Sequence, residues 1–155
     1  MSTRVASADD GTDDGTRVVT LIALFRKTAA LMVEELAARL RAAGFTDMTA
    51  AHHPVFENID REGTRLTVLA SRTRMTHQSM GELVQALEAR GYVKRTVDPA
   101  DRRARLVRLT PKGRRAVRRA LKEIQEIESE WLERFGRAGF DVDVRRLLEA
   151  GLGEP

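Results

Sequence analysis

Residues 66–110 read LTVLASRTRMTHQSMGELVQALEARGYVKRTVDPADRRARLVRLT, and the order of patterns inside them sets the architecture. Leu66, Leu69 and Ala70 share one side of a short helix over residues 66–73. Arg74-Met75 leaves only a tight turn before Thr76, whose hydroxyl can cap a second helix by accepting from a backbone amide one turn on. That helix runs to Arg90 with Met80, Leu83, Val84 and Leu87 on its inward face and Gln78, Gly81, Glu82 and Gln85 opposite. Gly91 ends it. Residues 92–97 then carry β-branched and aromatic side chains, Asp98-Pro99 supplies turn chemistry, and residues 105–109 return as a second strand behind an arginine-rich tip.

Helix, tight turn, helix, strand, basic tip and returning strand make a winged helix-turn-helix. Working outward, Val18, Leu21, Ile22, Phe25, Met32, Leu36 and Leu40 recur near helical spacing over residues 17–43, with Gly44 as the stop. A shorter helix is expected over residues 49–59, where Val55, Phe56 and Ile59 face inward and Pro54 marks a first turn or a kink. Thr110-Pro111 pairs a capping hydroxyl with proline at the first helical position, and Val117, Leu121, Ile124, Ile127, Trp131 and Phe135 extend an apolar stripe for about six turns. A last helix over residues 141–150 ends at Gly151. The expected fold is mainly α with a small β wing. Residues 1–16 are expected to form a flexible acidic tail, 17–48 an N-terminal dimerisation helix, 49–109 a winged helix-turn-helix DNA-binding lobe, and 110–155 C-terminal dimerisation helices. Long terminal helices around so small a module leave apolar stripes that either satisfy one another within one chain or are covered by a second copy, and a two-fold homodimer is the economical solution.

Composition narrows the chemistry. No cysteine is present, which removes disulfides, thiolate metal sites and cysteine nucleophiles. The three histidines lack metal-ligand spacing, and no phosphate loop or nucleophile motif occurs, so neither metal nor cofactor is implied. No apolar run is long enough for a signal peptide or a bilayer span, which predicts a cytoplasmic protein without a membrane partner. Net charge is only +4, but residues 90–119 hold twelve Lys or Arg against two acids, whereas residues 121–155 hold nine acids against five bases. Charge gathered in this way focuses a positive field on one part of the molecule and suits a polyanion.

The residues that would meet double-stranded DNA follow from this layout. A helix beginning at Thr76 points unpaired amides and its positive dipole end at a phosphate. Gln78, Glu82 and Gln85 have the amide and carboxylate types that read adenine and cytosine edges in the major groove; His77 and Ser79 flank them, and Gly81 permits close approach. In the wing, Arg103 suits a narrow minor groove, and Asp101 is expected to orient its guanidinium. Arg102, Arg105 and Lys94 or Arg95 fit phosphate contacts that add affinity without sequence preference.

Three strings carry a resemblance: Leu83-Val84-x-x-Leu87-Glu88-x-x-Gly91-Tyr92-Val93, then Asp98-x-x-Asp101-x-Arg103, then Leu109-Thr110-x-x-Gly113. Together residues 66–113 resemble the winged helix-turn-helix of the multiple-antibiotic-resistance regulator (MarR) family, and the helix layout extends the likeness to most of the chain. The resemblance implies a homodimeric repressor of pseudo-palindromic operators, with Asp101 and Arg103 at the family's wing positions. It also implies a small-molecule effector, commonly an aromatic acid, bound where the dimerisation helices meet the DNA-binding lobe. Arg26 and Arg39 on the first helix are candidates to receive its carboxylate, and His52 and His53 to line the cleft. Two other readings stay open on the residues alone: an architectural protein that coats DNA without sequence preference, and a small enzyme pairing His52 or His53 with Glu57 or Asp60.

Overall fold

The computed structural model describes residues 20–139 and 143–153. Six α-helices and three strands occur among them: α1 Leu21–Ala42, α2 His53–Asn58, β1 Thr64–Arg65, α3 Leu66–Arg72, α4 His77–Ala89, β2 Val93–Asp98, β3 Asp101–Leu109, α5 Pro111–Arg137 and α6 Val144–Leu152. The acidic tail expected over residues 1–16, and Val18, lie outside the described residues.

Caps explain most of the boundaries. Thr20, Thr76, Thr110 and Asp143 each accept a bond from a backbone amide three residues on, so α1, α4, α5 and α6 begin where a side-chain oxygen satisfies an otherwise unpaired N–H. The expected helix over residues 49–59 divides into a single 3₁₀ turn, Ala50–His52, and α2, with Pro54 in the first turn of α2. Proline has no amide to donate, which is harmless at that position. The last helix runs on through Gly151 to Leu152, and Gly153 at φ +74° is its left-handed cap, so the sequence reading stopped it at the wrong glycine.

The sheet has order β1-β3-β2, all antiparallel. Strand β1 was not anticipated; Thr64 pairs with Val107 and Arg65 with Leu106. Strand β3 begins at Asp101, four residues before the sequence reading placed it. Its pairing with β2 is regular from Val93 opposite Leu109 to Val97 opposite Arg105, and then jumps to Asp98 opposite Asp101. Arg102, Arg103 and Ala104 therefore lie in a bulge on β3, beside the Pro99-Ala100 turn and not within it.

The core lies between the wing and the helices. Val55, Leu69, Met80, Val84, Leu87, Tyr92, Val93, Val107 and Ile127 are almost wholly buried. Helix α3 packs on α4, and α1 packs along α5. No described helix is long and apolar enough to cross a membrane. Gly113 fixes the start of α5 against the sheet: a Cβ there would sit 2.1 Å from the Tyr92 carbonyl oxygen, an approach that only glycine allows.

Candidate nucleic-acid interface

Helix α3, its turn and α4 place the start of α4 in the open. Thr73 and Arg74 make the turn, Arg74 at a left-handed φ of +54°, and the Met75 amide closes it onto the Ala70 carbonyl at 3.0 Å. Thr76 and Ser79 are engaged with each other: the Ser79 amide donates to Thr76 Oγ1 at 3.1 Å, and the Thr76 hydroxyl donates to Ser79 Oγ at 2.9 Å. Their role in the structure is to hold the helix end. His77, Gln78, Glu82 and Gln85 are exposed, and Gln78 donates to Glu82 Oε1 at 3.2 Å across one turn. Gly81 is half-buried, and a Cβ there would make only an ordinary contact, 3.8 Å from Leu66 Cδ2.

The wing is braced from β1. Asp98 is 6% exposed; its Oδ1 accepts the Ala100 amide at 2.9 Å and its Oδ2 accepts Arg65 Nε at 2.7 Å. The Ala100 amide first, and the Arg65 guanidinium second, hold this carboxyl below the usual carboxylate range. Sequence reasoning assigned Asp98 to the turn alone and missed Arg65, because their 33-residue separation carries no local pattern. Since the folded value is depressed, the contribution of Asp98 is complete above its unfolded value of about 3.9 and is lost as pH falls through the lower folded value. Acidification below about pH 4 is therefore expected to shift the Ala100 amide resonance, and Asp98→Asn to remove that titration. An unchanged titration in the variant would assign it to another group.

Asp101 does not orient the Arg103 guanidinium as expected. Its Oδ1 accepts the Arg103 backbone amide at 3.0 Å, which shapes the bulge, while its Oδ2 lies 3.9 Å from the Arg65 guanidinium. Among the described residues no carboxylate is within ion-pair distance of Arg102 or Arg103, and both are exposed. Arg105 donates to the Arg102 and Ala104 carbonyls at 3.2 Å, bracing the bulge. Lys94 is exposed, but Arg95 is held by Glu88, to which its amide donates at 2.9 Å and its guanidinium at 3.0 Å. Of that pair, Lys94 is the one left open.

The base of the lobe is fastened by Tyr92. Its hydroxyl donates to Asp47 Oδ1 at 2.5 Å, and Lys112 lies 4.0 Å above its ring while donating to the Arg90 carbonyl at 2.9 Å. Burial first, and the bond to Asp47 second, raise the phenol above its ordinary range.

The four effector candidates separate. A cavity of about 320 Å³ opens between α1, α2 and α5, and His53 lines it. Arg26 and Arg39 do not. Arg26 sits on an exposed part of α1. Arg39 donates to Glu35 at 2.5 Å and to Glu130 at 2.8 Å, with Glu126 and Glu123 at 3.7 and 3.8 Å, so it ties α1 to α5. His52 is buried as part of a cap, its Nδ1 accepting the Thr49 amide at 3.1 Å. Burial, then the nearby Arg90 charge, lower its basicity. Asp60 is taken by Arg72, at 2.9 Å, and by Thr64, so it does not serve a histidine.

The MarR family profile matches residues 46–104. The transcriptional regulator HosA of Escherichia coli O111:H- is 32% identical over 90 residues, which cover 57% of this chain and 67% of that protein. Among solved structures, the transcriptional regulator BldR of Sulfolobus solfataricus superposes with a TM-score of 0.66 at 26% identity, over 86% of this chain and 89% of that one. CouR of Rhodococcus jostii RHA1, bound to p-coumaroyl-CoA, has the same fold, with a TM-score of 0.66 at 23% identity over 88% of this chain and 92% of that one. A threonine-capped helix set beside a braced, arginine-bearing wing, together with one-third identity across two thirds of a known regulator, places the chain in the MarR family of DNA-binding transcriptional regulators.

Proposed function

We propose that two copies of this regulator pair through their terminal helices and repress transcription by occupying a pseudo-palindromic operator, from which a small molecule in the α1–α2–α5 cavity releases them. The observation that carries the pairing is the apolar surface left at both ends of the chain. Leu21 is 66% exposed and Ile22 74% on α1, and Leu147 is 62% and Leu152 76% on α6. Large apolar side chains left exposed on helices at both ends favour an association face.

In this reading the two α4 helices enter successive major grooves about 34–36 Å apart. The α4 N-terminus, capped by Thr76 and Ser79, meets a phosphate; His77, Gln78, Glu82 and Gln85 read base edges. Arg103 enters the minor groove, while Arg102, Arg105 and Lys94 lie against phosphates. An occupant of the cavity touches α1 and α5, which join the pairing region, and α2, which leads into the DNA-binding lobe. It can thereby alter the spacing of the reading helices.

Competition by random duplex at fixed salt tests sequence-specific binding. A specific regulator should favour its selected operator by at least about a thousandfold. Equal competition would establish a coating protein instead. For the wing, Arg102→Ala is expected to lower the slope of log K against log salt by about 0.9 per lost phosphate, hence by about 1.8 for a two-winged dimer. An unchanged slope would remove Arg102 from the phosphate contacts.

A further inference from the structure

We infer that the α1–α2–α5 cavity takes an apolar ring system bearing a basic nitrogen, an arylalkylammonium, and disfavours the aromatic acid that family resemblance suggests. The inference rests on the effector reading above and narrows it. Leu36 and Leu40 of α1, Met48, Phe56 of α2 and Ile124 of α5 supply apolar wall. At about 320 Å³ the cavity lies at the small end of ligand sites, enough for two fused rings.

Charge decides the rest. The ionisable side chains lining the cavity are His53 and Glu57, 3.7 Å apart, and no Lys or Arg is among its described lining residues. Glu57 stands at the mouth of the cavity, its side chain 63% exposed and without a hydrogen bond among the described residues. An incoming carboxylate would meet that like charge and leave water with no Lys or Arg in the lining to receive it, a costly transfer. Arg39 cannot swing in cheaply, because Glu35 and Glu130 hold it and Glu123 and Glu126 face it. An ammonium has the opposite prospects. It would pair with Glu57 at the mouth of a cavity that Phe56 also lines, and aromatic wall tolerates a cation better than an anion.

Three probes with one ring system test this in calorimetric titrations of the full-length protein: naphthylmethylammonium, naphthylmethanol and naphthoate. The ammonium is expected to bind about tenfold tighter than the alcohol, and the carboxylate more weakly than either. Glu57→Gln should bring the ammonium down to the alcohol's affinity and leave the alcohol unchanged, and Ala120→Trp, which fills the cavity, should weaken the ammonium and the alcohol. Naphthoate binding as tightly as the ammonium, full ammonium affinity in Glu57→Gln, or no binding of the ammonium would each overturn the inference. Adding the ammonium to operator complexes separates the two claims: preferential binding without release supports the ligand class and refutes the effector reading, whereas release by naphthoate alone does the reverse.

Discussion

Replacing Arg103 with alanine is expected to weaken operator binding by about 1–3 kcal/mol per wing, at least about thirtyfold for a dimer that loses both contacts. The expectation follows from the bulge. Three residues on β3 have no partner on β2, and Arg103 is the central one. Asp101 fixes its backbone by accepting its amide at 3.0 Å, while Asp98 and Arg65 fix the turn alongside. The guanidinium has no acid partner among the described residues, so docking into DNA breaks no ion pair. Its backbone is held in advance, which lowers the ordering cost of binding. Fluorescence anisotropy against the selected operator measures the effect, and an affinity within about twofold of wild type would show that the wing does not read DNA. Arg103→Lys separates geometry from charge: a narrow minor groove favours arginine, so lysine should recover only part of the loss.

The second large effect is on folding. Gly113→Ala is expected to destabilise the protein by about 3 kcal/mol, although alanine in a helix ordinarily stabilises by about 1 kcal/mol over glycine. The new Cβ would lie 2.1 Å from the Tyr92 carbonyl oxygen and 3.1 Å from its carbon. This backbone cannot move freely, because the same carbonyl accepts the Thr110 amide at 3.0 Å and the Tyr92 hydroxyl is tied to Asp47. Gly136 is the control. It lies in the same helix with nothing within 4 Å of its missing Cβ, so Gly136→Ala should be neutral or stabilising. Urea unfolding reads both variants, and a Gly113→Ala protein as stable as Gly136→Ala would refute the close contact.

What could be read from the chain was whatever is written in short spacings. Thr76 and Thr110 announce helices because a cap acts over three residues, and Met80, Val84 and Leu87 fall on one face because helical periodicity is local. Strand β1 escaped notice for the opposite reason. Two residues show no alternation, and Thr64–Arg65 is a strand only because β3 pairs with it more than forty residues later. The partnerships of Arg39 show the same limit: Glu35 is visible at a spacing of four, but Glu123, Glu126 and Glu130 arrive from α5 through packing. Read alone, Arg39 looked available to a ligand; in the fold it is a tie between helices. Asp101 faced the right neighbour through the wrong atoms, because sequence gives the spacing to Arg103 but not whether a carboxylate meets its amide or its guanidinium.

The central claim is that two copies of one lobe present α4 and its wing to a single duplex. A hydroxyl-radical footprint on an operator selected by the purified protein tests it most directly. The account predicts two protected segments on one face of the duplex, about 34–36 Å apart, with both patterns disappearing together on dilution. One isolated segment, or uniform protection along the duplex, would contradict it.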